Sequence, residues 1–163
     1  IVLSLASLEN SEHGTTVVPT VLHSGKTTNT VPDYAVLEID ARSFSTAEQE
    51  RIHAAITAIT PVNPGARIEV TGGINRPPLE TSSSMELYEK LEKVAKDLGL
   101  SQIGHASVGG ASDGNLAAAA GAKVLDGLGA IGMGAHAPSE SIKISTIDER
   151  IKLTTAFINE LLK

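Results

Sequence analysis

The chain has 163 residues, 41% hydrophobic and 20% charged, enough to build the core of one ordinary domain and too apolar for a disordered segment. Thirteen basic against nineteen acidic residues give a net charge of −6, with no Lys/Arg cluster longer than a pair, and no apolar run nears the roughly 18–20 residues of a membrane span, so neither nucleic acid nor a bilayer is an expected partner. The lack of cysteine excludes disulfides and thiolate metal sites and leaves the compartment open: cytoplasm by default, with periplasm or secretion compatible. Tyr34, Phe44, Tyr88 and Phe157 are all the aromatic residues, so the core must rest on Ile, Val, Leu and Ala, and no stacking platform for bases or sugars is available.

Residues 1–8 have the spacing of the end of an amphipathic helix whose beginning is expected to lie upstream; they do not form a basic-then-apolar export signal. Residues 15–22 are a β-branched run, followed by a polar loop at 24–29 and a second strand at 34–40. In that strand Ala35, Leu37 and Ile39 alternate with Val36, Glu38 and Asp40, so Asp40 and Arg42 share the polar face. Ser45 and Glu48 have capping-box spacing, and Ile52, Ala55, Ile56 and Ile59 recur at helical intervals until Pro61 to Gly65 stop the helix. Residues 67–70 alternate like another strand. Helix, strand, strand, helix, strand is a split βαβ order without its first strand, so an orphaned sheet edge is expected.

Arg76-Pro77-Pro78 breaks this rhythm, since consecutive prolines cannot continue a ladder, and a domain boundary is placed here, separating 1–77 from 78–163. Beyond it Ser83 and Glu86 cap a helix carrying Leu87, Leu91, Val94 and Leu98 on one side and closed by Gly99. A strand at 103–108 feeds a glycine loop at 109–114. A small-residue helix follows at 115–122, then strand plus turn at 123–133, and a last helix marked by Ile151, Thr155, Ile158 and Leu162. The alternation predicts an α/β fold with functional loops at the strand ends.

The glycine loop reads either as a structural turn or as a cradle for an anion, and it lacks the Lys-Ser/Thr of a P-loop and the spacing of a dinucleotide site. Asp113 reads as a helix cap, a ligand or an orienting acid, with capping the simplest. His136, set among Gly and Ala that let a ligand approach, reads as functional. A lone imidazole is only one wall of a zinc site, however, which needs three or four donors. His13, His23, His53 and His105 read as surface residues.

Together these residues resemble the co-catalytic zinc amidohydrolases that include glutamate carboxypeptidase, aminoacylase and succinyl-diaminopimelate desuccinylase. The resemblance rests on Asn29-Thr30-Val31-Pro32, Asp40-Ala41-Arg42, Arg76-Pro77, the loop Gly109-Gly110-Ala111-Ser112-Asp113-Gly114, and His136 with Glu140, in that order. It implies a partial ferredoxin-like lid or dimerisation domain at 1–77, followed at 78–163 by the C-terminal part of an α/β catalytic domain. It further implies that Arg42 and Arg76 meet the substrate carboxylate, where a planar guanidinium fork suits a planar carboxylate. Asn29 would hydrogen-bond the substrate or its oxyanion, Gly110 and Ser112 would let the substrate backbone approach, and Asp113 would support the loop. His136 would bind one of two zinc ions with Glu140 supporting it.

The substrate implied is an acyl amino acid or small peptide with a free carboxylate, and the assembly a homodimer through the lid. The family's His-x-Asp motif, bridging aspartate, Glu-Glu pair and remaining metal carboxylate do not occur in this sequence. The expectation is therefore a hydrolase fragment, inactive alone and unable to hold two zincs tightly, to which the missing N-terminal half is a further candidate partner. Competing expectations are a noncatalytic dimerisation module, to which the lid segment is equally suited, and a simple anion-binding α/β domain.

Overall fold

The computed structural model describes every residue from Ile1 to Lys163. Two compact units are present: Ile1–Glu80 with Ser107–Ala119, and Thr81–Ala106 with Ala120–Lys163. The glycine loop thus belongs to the first unit, which the chain re-enters after leaving it.

In the first unit a short helix, α1 (Val2–Ala6), buries Leu5 and packs on strand β1 (Thr16–Ser24). β1 pairs antiparallel with β2 (Ala35–Arg42) in a register running from Thr16 opposite Arg42 to Ser24 opposite Ala35. Pro19 has no N–H to give to a ladder, and the register slips between Pro19 and Val21, leaving Thr20 as the extra residue of a bulge. The two expected strands are therefore present, in a ribbon of two strands whose outer edges have no β partner. The clean in–out alternation expected along β2 is not found: Leu37 and Ile39 are half-buried, but so are Val36 and Asp40. A two-stranded ribbon gives its covering helices too little surface for one face to be shut off from water.

Helix α2 (Thr46–Thr57) starts as its sequence demands, with the Ser45 hydroxyl accepting from the Glu48 N–H at 3.3 Å. The return half of the capping box is diverted. Glu48 instead accepts from the Thr15 hydroxyl at 2.7 Å and from both Nε and a terminal nitrogen of Arg51 at 2.9 and 2.8 Å, while Glu80 accepts from the Thr46 N–H at 2.8 Å. Ile52 is buried and Ala55, Ile56 and Ile59 are half-buried, the stripe expected from their spacing.

The Arg51 guanidinium and then the Thr15 hydroxyl lower the Glu48 carboxyl from its ordinary 4.5 to about 2. A depressed carboxyl stabilises the fold fully above its unfolded value, and that contribution is lost as pH falls through the folded one. Stability should therefore drop between about pH 4.5 and about pH 2. Glu48→Gln should be less stable at neutral pH and should show a shallower acid drop; chemical denaturation at about pH 5 and about pH 2.5 checks this, and equal slopes would refute it.

Residues 67–70 do not form the expected strand. After a turn in which the Asn63 side chain accepts from Gly65 N–H at 3.0 Å, the stretch makes no ladder bonds, and Arg67 and Glu69 lie 3.8 Å apart in solvent. Alternation marks residues suited to a strand, but a strand exists only where a neighbour takes its backbone groups.

The second unit is built on helices α3 (Thr81–Asp97) and α5 (Ile147–Leu161). Leu91, Val94 and Ala95 of α3 are buried with Leu153 and Phe157 of α5, and Leu87 and Leu98 pack against this core. Gly99, at φ 69°, ends α3 as expected: its N–H bonds Lys96 C=O and the Leu100 N–H bonds Ala95 C=O, the paired bonds of a left-handed helix stop. The last helix is present where Ile151, Thr155 and Ile158 mark it, but these residues do not form its buried face. Ile151, Ile158 and Leu162 are exposed, and the inward stripe is Leu153 and Phe157, both buried, with Ala156 half-buried between them. Both stripes have helical spacing, and α3 takes the one carrying the large aromatic ring.

The strands expected at 103–108 and 123–133 are also corrected, since only Gly132–Met133 (β3) enters a ladder, pairing with Ser141–Ile142 (β4). Ile103 is tied to α3 by its carbonyl, 2.6 Å from the Tyr88 hydroxyl, and His105 stacks on the Tyr88 ring with centroids 4.9 Å apart. The chain is thus mixed α/β, with five α-helices and two small antiparallel sheets. None of its helices is long and apolar enough to cross a membrane.

Candidate functional site

In the first unit the expected polar face of β2 is occupied by an ion pair: Arg42 Nε and one terminal nitrogen lie 2.9 and 2.8 Å from Asp40 Oδ2. The other terminal nitrogen donates to the Gly109 carbonyl at 3.1 Å, so a residue of β2 is fastened to the glycine loop 67 positions away. Hydrogen bonding and charge from Asp40 raise the Arg42 pKa above its ordinary value, keeping it a fixed cation. Two of the five guanidinium N–H groups are used in hydrogen bonds, and the terminal nitrogen beside Asp40 makes an ion-pair contact only, so N–H groups on both terminal nitrogens remain for a ligand.

The loop itself is held from within. Ser112 Oγ accepts from the Gly114 N–H at 3.1 Å, so the hydroxyl that turns the chain into helix α4 (Gly114–Ala119) is that of Ser112, and the Asp113 carboxylate makes no capping bond. The helix expected at 115–122 is accordingly present but shorter. A Cβ placed on Gly110 would meet nothing within 4 Å, so the loop has room for a close approach.

Asn115 is the best-anchored polar side chain of the loop. Its Oδ1 accepts from the Ser112 N–H at 2.9 Å and its Nδ2 donates to the Pro77 carbonyl at 2.9 Å. The segment bearing Arg76 is therefore attached to the glycine loop, and Gln49 Nε2, on α2, donates to the Arg76 carbonyl at 2.8 Å. The Arg76 guanidinium is exposed and has no hydrogen bond or ion pair of its own. Sequence reading missed Asn115 and Gln49. Asn115 could have been found, since it stands three residues after Ser112, the capping-box interval.

Asn29 is not brought to this cluster. It lies in the loop joining β1 to β2, next to the Ser24–Ala35 end of the ribbon, whereas Arg42 sits at the Thr16 end. Seven strand residues separate the ends, roughly 23 Å at about 3.3 Å per residue. His136 and Glu140 lie in the second unit, in the loop between β3 and β4. His136 has φ 67°, the one positive value outside glycine in the chain, and its N–H donates to Glu140 Oε2 at 3.2 Å. The turn is closed by Ala137 N–H to Gly134 C=O and Glu140 N–H to Ala137 C=O, each 2.9 Å.

The chain belongs to peptidase family M20/M25/M40, whose sequence model matches residues 7–160. Its function is thereby that of a peptidase or amidohydrolase family, one that generally binds zinc or other divalent metals. A comparison with curated proteins found no match. No three His, Asp or Glu side chains of this chain are grouped so that they could hold a metal ion. The Glu140 carboxylate accepts from the His136 backbone N–H and makes no hydrogen bond with its imidazole. The residues present do not by themselves fit a metal centre.

Proposed function

We propose that these 163 residues are the carboxylate-recognising part of a zinc-dependent amidohydrolase that cleaves the amide bond of an acyl amino acid or small peptide with a free carboxylate, in the manner of a glutamate carboxypeptidase. In this reading Arg42 and Arg76 take the substrate carboxylate, Gly110 and Ser112 line its approach, and His136 gives one metal donor, with the other donors contributed by polypeptide outside this sequence. The observation that carries the reading is the Arg42 guanidinium, tied to Asp40 and Gly109 and still holding N–H groups that make no hydrogen bond. A planar cation fixed in this way is suited to a bidentate carboxylate. The family match supports the same chemistry.

The reading predicts that the chain binds N-acetylglycine in preference to its uncharged methyl ester by about tenfold or more, because only the acid can use the charge-assisted bonds. Titration followed by two-dimensional NMR measures both affinities; equal binding would sink it. A second reading, a noncatalytic module that pairs two copies through the ribbon, is favoured by the open edges of β1 and β2 and by exposed Val18 and Leu22 on β1. Sedimentation of the same sample distinguishes it, through a dimer without acid preference.

A further inference from the structure

We infer that Asn115 is the positioning residue that holds the Arg76 segment and the glycine loop at a fixed separation, so that both serve one carboxylate; the inference rests on the carboxylate-binding reading above. Asn115 is only 9% exposed in a helix otherwise made of glycine, leucine and alanine. A buried carboxamide is costly unless both its ends are bonded, and here both are. The orientation of the amide is dictated by its partners, because Ser112 offers an N–H and Pro77 a carbonyl.

One rigid planar group thus bonds two backbone points 38 and 3 residues away. On one side it grips Pro77, whose ring fixes φ and so limits the direction of the preceding Arg76. On the other it grips Ser112, in the loop whose Gly109 carbonyl receives Arg42. With Gln49 holding the Arg76 carbonyl, the backbone beneath both arginines is tied to one frame. Asn115 commits one donor and one acceptor to the protein backbone and is almost wholly buried, so its assigned role is to act through the arginines and the loop.

The test uses the full chain and N-acetylglycine with its methyl ester as probes. Asn115→Ala removes both bonds without adding charge. It is expected to bind the acid about tenfold more weakly while ester affinity stays at the wild-type value, and the Ser112 amide is expected to exchange faster with solvent. Asn115→Gln keeps donor and acceptor but is one methylene too long; it too should lose acid affinity, and it carries the test if the alanine variant fails to fold. Wild-type acid affinity in a folded variant would overturn the role of Asn115 and leave the carboxylate reading standing. Equal losses for acid and ester would show a merely structural residue and overturn it as well. No acid preference in the wild-type chain would overturn the carboxylate reading, and this inference with it.

Discussion

Replacing Phe157 by alanine is expected to destabilise the second unit by about 3–5 kcal/mol, the range for emptying an aromatic site in a packed core. The ring is 3% exposed and shares its core with Leu91, Val94, Ala95 and Leu153, while the strands expected to add a second layer make no ladder there. A domain this small has little stability to spare, so a loss of that size approaches the whole. Ile151→Ala, on the exposed stripe of the same helix, is expected to change stability by less than about 0.5 kcal/mol. Hydrogen exchange of the α3 amides reads both effects on the unit concerned. Similar losses for the two variants would mean that α5 turns its Ile151 face to the core.

The second large effect concerns binding. Arg42→Ala should cost affinity for N-acetylglycine by about 30-fold to 100-fold, since it removes charge-assisted bonds and releases the loop at Gly109. Arg42→Lys should recover little of it. An ammonium keeps the charge but cannot reach Asp40, Gly109 and a bidentate ligand at once. Calorimetric titration with acid and ester separates the cases, and full recovery by lysine would reduce Arg42 to a point charge. Thermal unfolding of both variants should stay near the wild type, because the Asp40–Arg42 pair is exposed and such pairs contribute little to stability.

Local signals were the ones legible in the chain. Ser45 and Gly99 specify a helix start and a helix stop through bonds to backbone groups a few residues away, and both are found where their residue types require. The strands β1 and β2 were legible as a β-branched run and an alternating run on either side of a polar loop, while their pairing is seen only in the fold. Residues 67–70, 103–108 and 123–131 have equally suitable side chains and remain outside any sheet. Strand formation is a property of a pair, and one sequence segment cannot report whether its partner is in place.

The site divides along the same line. The candidate side chains could be named from the sequence: Arg42, Arg76, the glycine loop and His136 have types that fit carboxylate recognition and metal ligation, and their order along the chain supplied the family resemblance that the match over residues 7–160 supports. Which of them meet was decided by the tertiary structure. Only the folded chain puts the Gly109 carbonyl on Arg42 and the Asn115 amide between Pro77 and Ser112, and only it sets Asn29 at the far end of the ribbon. The same is true of α5, where helical spacing offered two apolar stripes and packing against α3 chose Leu153 and Phe157. A sequence encodes propensity and chemistry residue by residue, whereas proximity between distant residues comes from burial and hydrogen bonding shared across the whole chain.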